Sequence, residues 1–172
     1  MLKMIGIMCV CSACAGMGFL KSYQLSRRMK ELKQLHRIFL LIKGKIDFGG
    51  ETLPEALTDI SQRTIEPFAK FLEQAAKRLN SYSGNTFAHV FVACIDEELK
   101  GCCLTDEDKK ELTEAGEMLG YLDKSMQLQA IATYLKSLEL TMQDLHGVLP
   151  EQKKLYQSLG IMGGLMLAIL LI

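Results

Sequence analysis

The chain has 172 residues, a length that allows one ordinary domain with short appendages and excludes two independent catalytic domains. Nearly half of the residues are apolar, tryptophan is absent and only three residues are proline, so the composition favours helices over a sheet sandwich. The formal net charge is zero, but the charges are distributed unevenly along the chain.

The first predicted element is an apolar segment. Residues 4–20 carry no charge, and as a helix they would be roughly 25 Å long, slightly less than the roughly 30 Å hydrocarbon core of a bilayer. Lys3 and the small residues near the end of the segment also fit a cleaved signal peptide, and a lipoprotein modified at Cys14 is a weaker alternative. Eight basic residues and one acidic residue in 21–45 favour a retained membrane anchor, residues 1–20, with the following domain in the cytoplasm.

Five or six amphipathic helices are predicted over residues 21–157, because apolar residues recur there at steps of three and four. The predicted apolar stripes are Leu25, Met29, Leu32, Leu35, Phe39, Ile42 and Ile46; Ala56, Leu57 and Ile60; Phe68, Phe71, Leu72, Ala75 and Leu79; Phe87, Val90, Phe91, Cys94 and Ile95; Leu112, Ala115 and Leu119; and Met126, Ile131, Leu135, Leu138, Met142 and Leu145. The fold class is therefore all-α, a helical bundle flanked by N- and C-terminal membrane helices.

Several residues predict where these helices begin and end. A loop containing Gly49-Gly50 should end the first helix, and Thr52 should cap the second. Thr105 should cap the fifth helix, with Asp108 at the capping-box position. Pro150 should end or kink the last long helix before the C-terminal segment.

The chain closes with a second hydrophobic segment, residues 158–172, which follows two lysines and should enter the membrane from the cytoplasmic side. Its uncharged part would span only roughly 21 Å as a helix, which is short for a lone crossing. Gly160, Gly163 and Gly164 are candidates for close helix packing within the membrane. The alternative is that glycine is simply common in membrane segments.

No motif for catalysis or nucleotide binding occurs in the chain, so we expect no enzymatic activity, no cofactor and no small-molecule substrate. His89, Cys94, Cys102 and Cys103 could supply four zinc ligands, but they lack paired ligand spacing, and core or surface roles explain them better. An enzyme with an unrecognised site is the alternative, which a deep polar cleft would support.

An acidic region extends from Cys94 to Asp123, with ten acidic and three basic residues. A solvated outer face explains it most simply, and the alternative is a docking surface for a partner protein. The candidate docking residues are Asp96, Glu97, Glu98, Asp106, Glu107, Asp108, Glu111 and Glu114. The basic run after the first segment is explained by anionic lipid heads, so no nucleic-acid partner is expected.

Four stretches of the sequence resemble the stage III sporulation protein AB family. They are Leu25-Ser26-Arg27-Arg28, Leu53-Pro54-Glu55-Ala56-Leu57, Leu119-Gly120 and the closing Ser158-Leu159-Gly160-Ile161-Met162-Gly163-Gly164-Leu165. The resemblance covers the whole chain, and the closing stretch is its most specific part.

This resemblance implies a component of the channel-like apparatus between mother cell and forespore, similar in fold to the cytoplasmic domain of the type II secretion platform protein F. It implies an anchor for the mother-cell ATPase, stage III sporulation protein AA, together with other membrane components. The helical domain would lie on the mother-cell side of the engulfing membrane. The alternative is a platform or adaptor subunit of another type II secretion or pilus-like system.

Overall fold

The computed structural model describes residues 2–50, 52–81, 86–121 and 123–171, and most side chains of 2–18 and 149–171 lie outside the described residues. The chain divides into two compact units. Lys30–Met142 forms the larger unit, and Met1–Met29 with Gln143–Ile172 forms the other.

Within its described part the chain is all-helical, as predicted. The helices are α1 (Leu2–Gly44), α2 (Leu53–Gln62), α3 (Phe68–Asn80), α4 (Phe87–Glu98), α5 (Asp106–Tyr121) and α6 (Lys124–Leu171), with a π-helical turn at Lys45–Gly49 after α1. In the larger unit α2 packs on α3, α3 on α4 and α4 on α5. Short loops join these neighbours, the usual arrangement of a helical bundle.

The predicted helix starts are confirmed by their caps. Thr52 and Glu55 form a capping box at the start of α2, in which the Thr52 N–H donates to Glu55 Oε2 at 3.0 Å. At the start of α5 the Thr105 N–H donates to Asp108 Oδ2 at 2.8 Å, and the Asp108 N–H donates to Thr105 Oγ1 at 3.2 Å. Both pairs satisfy backbone donors that a helix start leaves without intrahelical acceptors.

The core of the larger unit is apolar and rich in phenylalanine, and most of the predicted stripe positions are buried. The Phe71 and Phe91 rings meet edge to face with their centroids 5.0 Å apart. Met126 is a wrong core prediction, since its side chain is 51% exposed. It lies five residues before Ile131, which rotates it by about 140° from the stripe of an α-helix.

Two glycines let α4 and α5 approach closely. A Cβ atom at Gly116 would collide with the Phe91 ring, and one at Gly120 would lie 3.2 Å from the Ala88 backbone nitrogen. The absence of a side chain at these positions therefore sets the distance between the two helices.

The α6 helix continues through Pro150 to Leu171, so the alternative that this proline ends the helix is wrong, and the alternative that it kinks the helix stays a prediction. A proline removes one backbone donor, and the remaining hydrogen bonds on both sides of it sustain a long helix.

Among the residues that the structure describes, no helix is long and apolar enough to cross a membrane. Most side chains of the two predicted membrane segments lie outside the described residues.

We expect Gly116→Ala to destabilise the fold by about 1–3 kcal/mol, because the added methyl group overpacks the contact with Phe91. Gly44→Ala is the matched control, since it lies at a helical φ of −61° with nothing within 4 Å of the added methyl group. Urea unfolding of the full chain, followed by circular dichroism, measures both. Equal midpoints for the two variants would contradict the close-approach argument.

Candidate functional site

Two of the candidate docking carboxylates form ion pairs with α3. Arg78 contacts Glu97 through both guanidinium Nη atoms, the Nη1 to Oε1 distance being 3.2 Å, and Lys70 Nζ lies 2.8 Å from Glu98 Oε2. The hydrogen bonds from Arg78 hold the pKa of Glu97 below its ordinary value. These two carboxylates therefore form contacts between α4 and α3. Because a basic side chain neutralises each of them, they contribute little net charge to a docking surface.

Two further carboxylates are also engaged within the chain. Asp108 is buried in the capping box of α5, and Glu111 Oε2 accepts a hydrogen bond of 2.8 Å from Ser137 Oγ on α6. The first position orders the start of α5 and the second connects α5 to α6. The capping role of Asp108 was predicted from the sequence, whereas the contact of Glu111 with α6 was not.

The remaining carboxylates of the acidic region face solvent, and one of them, Asp123, accepts a hydrogen bond of 2.9 Å from the Met126 N–H at the start of α6. Asp96, Asp106, Glu107, Glu114 and Glu117 are exposed, and we call these five residues the acidic surface. Within the described part of the chain, Glu114 has one loose ion pair, with Lys110 Nζ at 4.0 Å, and the other four have none. The acidic surface thus keeps an excess of negative charge, since four of its five carboxylates have no ion-pair partner among the described residues.

A shallow cleft of about 440 Å³ lies between α4 and α5, and we call it the α4–α5 cleft. Ala88, Val92 and Ala93 give it apolar surface, and Asp96 and Glu117 also line it. An apolar depression that also contains charged side chains is an arrangement typical of protein interfaces.

A second groove, of about 250 Å³, lies between α5 and α6 and includes Tyr134 in its lining; we call it the α5–α6 groove. The Tyr134 ring packs against Phe39 of α1 with centroids 4.5 Å apart, and its side chain is almost fully buried. Its hydroxyl has no hydrogen-bond partner among the described residues. Burial, reinforced by the charges of Glu111 and Asp108, raises the pKa of Tyr134 far above its ordinary range.

Tyr134 was missed by the sequence analysis, although a signal was present. It lies three residues after Ile131 and four before Leu138, which places it on the apolar stripe of α6. Its phenol made it a less obvious core residue than the aliphatic side chains around it.

Three further candidates from the sequence are a metal site, the cysteines and the C-terminal glycines. Across residues 2–50, 52–81, 86–121 and 123–171, no group of three His, Cys, Asp or Glu side chains could hold a metal ion. Cys94 is a buried thiol, and burial raises its pKa; neither Cys94 nor Cys103 forms a disulfide. Close helix packing was predicted at Gly160, Gly163 and Gly164. The side chains around them lie outside the described residues, so this stays a prediction.

Comparison with known proteins gives one consistent result. The family model for stage III sporulation protein AB matches residues 3–172. A protein named stage III sporulation protein AB from Bacillus subtilis (strain 168) is 26% identical over 175 residues, which cover 99% of each chain. A solved structure of a stage III sporulation protein AB matches with a TM-score of 0.67 at 19% identity, over 72% of this chain and 97% of that one.

We expect Tyr134→Phe to stabilise the isolated chain by about 1 kcal/mol, because it removes a buried hydroxyl that lacks a partner and leaves the ring packing intact. Urea unfolding at neutral pH measures the change. Met142→Leu, a conservative change at a half-buried position of the same helix, is the control. A loss of stability in Tyr134→Phe would show that the hydroxyl is already satisfied in the native chain.

The raised pKa of Tyr134 also predicts a change in stability with pH. The native state keeps the phenol proton above pH 10.0, where the unfolded chain loses it, so the contribution of Tyr134 to stability declines as the pH rises above that value. The free energy of unfolding of the wild type should fall relative to Tyr134→Phe by up to about 1.4 kcal/mol per pH unit. Parallel pH profiles for the two proteins between pH 9 and 12 would contradict this.

Proposed function

Because the chain belongs to the stage III sporulation protein AB family, we propose that it is a non-enzymatic scaffold that anchors a secretion-type ATPase in the sporulation apparatus. The family match over residues 3–172 supports sporulation over the other secretion and pilus systems weighed from the sequence. The proposed partner is the mother-cell ATPase, stage III sporulation protein AA, along with other membrane components of the apparatus. The lack of any catalytic motif supports a structural role.

The observation that carries the docking part of this proposal is the acidic surface. Four of its carboxylates form no ion pair within the described chain, while Glu97 and Glu98 nearby are neutralised by α3. Exposed charge of one sign speeds the encounter with a partner of opposite charge and orients it. We therefore propose that a basic face of the ATPase binds at the acidic surface.

The α4–α5 cleft is the proposed centre of that contact. Its apolar surface contributes affinity when it is buried, and Asp96 and Glu117, which also line it, offer charge that contributes specificity. Both helices are held by the core, through Phe91 on α4 and Leu112 on α5. A rigid face suits a platform that must keep one position while its ATPase cycles.

The membrane part of the proposal comes from the sequence pattern. Residues 1–20 and 158–172 are the proposed membrane segments, and the basic residues in 21–45 are proposed to face anionic lipid heads. Two attachments would restrict the domain more than one and hold the acidic surface toward the cytoplasm of the mother cell.

The test is a binding assay of the full chain against the purified ATPase, with the double variant Asp96→Lys and Glu117→Lys. Asp96 lies in the last turn of α4, where a lysine is compatible with the helix dipole, and Glu117 is an exposed position near the end of α5, so folding should be kept. We expect the affinity to fall about tenfold or more, and its dependence on salt to weaken.

The matched control is Glu73→Lys with Asp144→Lys, which changes the net charge equally at two exposed positions outside the acidic surface. This control should bind the ATPase with nearly wild-type affinity. Equal weakening by both double variants would show a general charge effect and remove the docking site, and absence of wild-type binding would remove the ATPase partner.

A further inference from the structure

A row of basic side chains runs along the exposed face of α1 in the larger unit. Lys30, Lys33 and Arg37 are exposed, and none of the three forms an ion pair with another described residue. Steps of three and four residues place them on one face of the helix, and Leu40, which is 52% exposed, follows at a further step of three. We call these four residues the α1 stripe. It presents three positive charges and one apolar side chain to a partner.

The opposite charge lies on α5, on the side of the helix that contacts α6. Ser137 of α6 donates to Glu111, and Glu107 and Glu114 lie about one turn before and after Glu111 on the same side of α5. Both of these carboxylates are exposed and belong to the acidic surface. Met118, one turn further along, is 54% exposed and lines the α5–α6 groove together with Glu114. We call Glu107, Glu114 and Met118 the α5 row.

The α1 stripe and the α5 row lie at the same level of the larger unit and run in the same direction. In the loop before α5, the Cys103 N–H donates to Glu31 Oε2 on α1 at 2.7 Å. Past the other end of both helices, Lys124 Nζ donates to the Asp47 carbonyl oxygen at 2.8 Å. A second copy turned about an axis parallel to these helices can therefore place its α1 stripe beside the α5 row, with a shift of no more than about one helical turn.

We propose that the α1 stripe of one copy of this chain binds the α5 row of a second copy, with basic side chains against Glu107 and Glu114 and with Leu40 against Met118. The contact joins two different surfaces of identical chains, so it can repeat from copy to copy and form a ring or a row. The opposite charges orient the two copies, and burial of the two apolar side chains contributes affinity. This inference does not rest on the ATPase, and it does not use the α4–α5 cleft.

A second copy explains the α1 stripe better than anionic lipid heads do. Lipid heads provide negative charge without a fixed spacing, whereas Glu107 and Glu114 are separated by the same number of residues as Lys30 and Arg37, about 10.5 Å along each helix. Lipid heads also leave unexplained why an exposed apolar side chain follows the charges in both rows. The lipid contact proposed above is then left to the basic residues in 21–28.

The first test is sedimentation velocity of the full chain in nonionic detergent micelles over a range of protein concentrations. We expect reversible association that weakens as salt is added. Lys33→Glu with Arg37→Glu, and separately Glu107→Gln with Glu114→Lys, should each raise the concentration at which half of the chain is associated by about tenfold or more. A wild type that stays monomeric at every concentration would overturn the proposal and leave lipid heads as the partner of the α1 stripe.

A mixture of the two double variants separates loss of the contact from loss of the fold. The first variant keeps the α5 row and the second keeps the α1 stripe, so their equimolar mixture should associate again. Failure of the mixture to associate, with both variants folded by circular dichroism, would overturn the proposal.

The matched control is Lys77→Glu with Lys100→Glu, which changes the net charge as much as the first variant does at two exposed positions outside the α1 stripe. The control should associate like the wild type. An equal loss of association in this control would show a general charge effect and overturn the proposal.

A gain of association provides a test that no misfolded variant can imitate. Lys110 lies between Glu107 and Glu114 on α5, and its Nζ atom is 4.0 Å from Glu114 Oε1. It repels the basic side chains of the α1 stripe, so Lys110→Glu should lower the concentration needed for half-association several-fold. Unchanged or weaker association in Lys110→Glu would overturn the placement of the contact on the α5 row.

Two further results separate this contact from the other proposals. Association that survives both double variants would come from another part of the chain, such as the segments 1–20 and 158–172, and would overturn the inference. Lys33→Glu with Arg37→Glu leaves the acidic surface unchanged, so the binding of this variant to the ATPase tests the docking proposal by itself.

Discussion

The contact between Phe91 and Gly116 is the constraint on which the surface of α4 and α5 depends. Because residue 116 has no side chain, the Phe91 ring can lie directly against α5, and Gly120 extends the close approach toward Ala88. The Phe91 ring also packs on Phe71 of α3 and Phe87 of α4. One aromatic side chain therefore connects three helices and fixes the walls of the α4–α5 cleft.

The arrangement of charge follows from this packing. Once α3 lies beside α4, Arg78 and Lys70 reach Glu97 and Glu98 and neutralise them. On α5, capping occupies Asp108 and the hydrogen bond from Ser137 occupies Glu111. What remains is the acidic surface, which is smaller than the acidic stretch of sequence. Its position next to an apolar cleft makes it a better docking candidate than charge alone would indicate.

Local signals in the sequence predicted much of the fold. The caps at Thr52 and Thr105, the end of the first helical segment at Gly49-Gly50 and the spacing of the apolar stripes depend on residues within one or two turns of each other. The prediction that Pro150 ends α6 was wrong, because the loss of one backbone hydrogen bond costs less than the hydrogen bonds of the long helix on either side contribute. The confirmed predictions and the wrong one all concern interactions between residues that are close in sequence.

The site was less predictable because its contacts join distant positions. Arg78 and Glu97 are 19 residues apart, and Ser137 and Glu111 are 26 apart, so a single sequence did not show that these two carboxylates would have partners within the chain. The orphaned Tyr134 hydroxyl likewise becomes visible only when α1, α5 and α6 are assembled around it. The sequence was enough to predict the acidic region. The tertiary structure was needed to show which of its carboxylates have partners within the chain and which face solvent.

The most direct measurement of the central claim is photo-crosslinking in sporulating cells, with a photoreactive amino acid placed at Val92 in the α4–α5 cleft and, as a reference, at Glu73 on α3. The account predicts that the ATPase is captured from Val92 and not from Glu73. Capture from Glu73 alone, or capture from neither site when the ATPase is present, would contradict docking at the acidic surface.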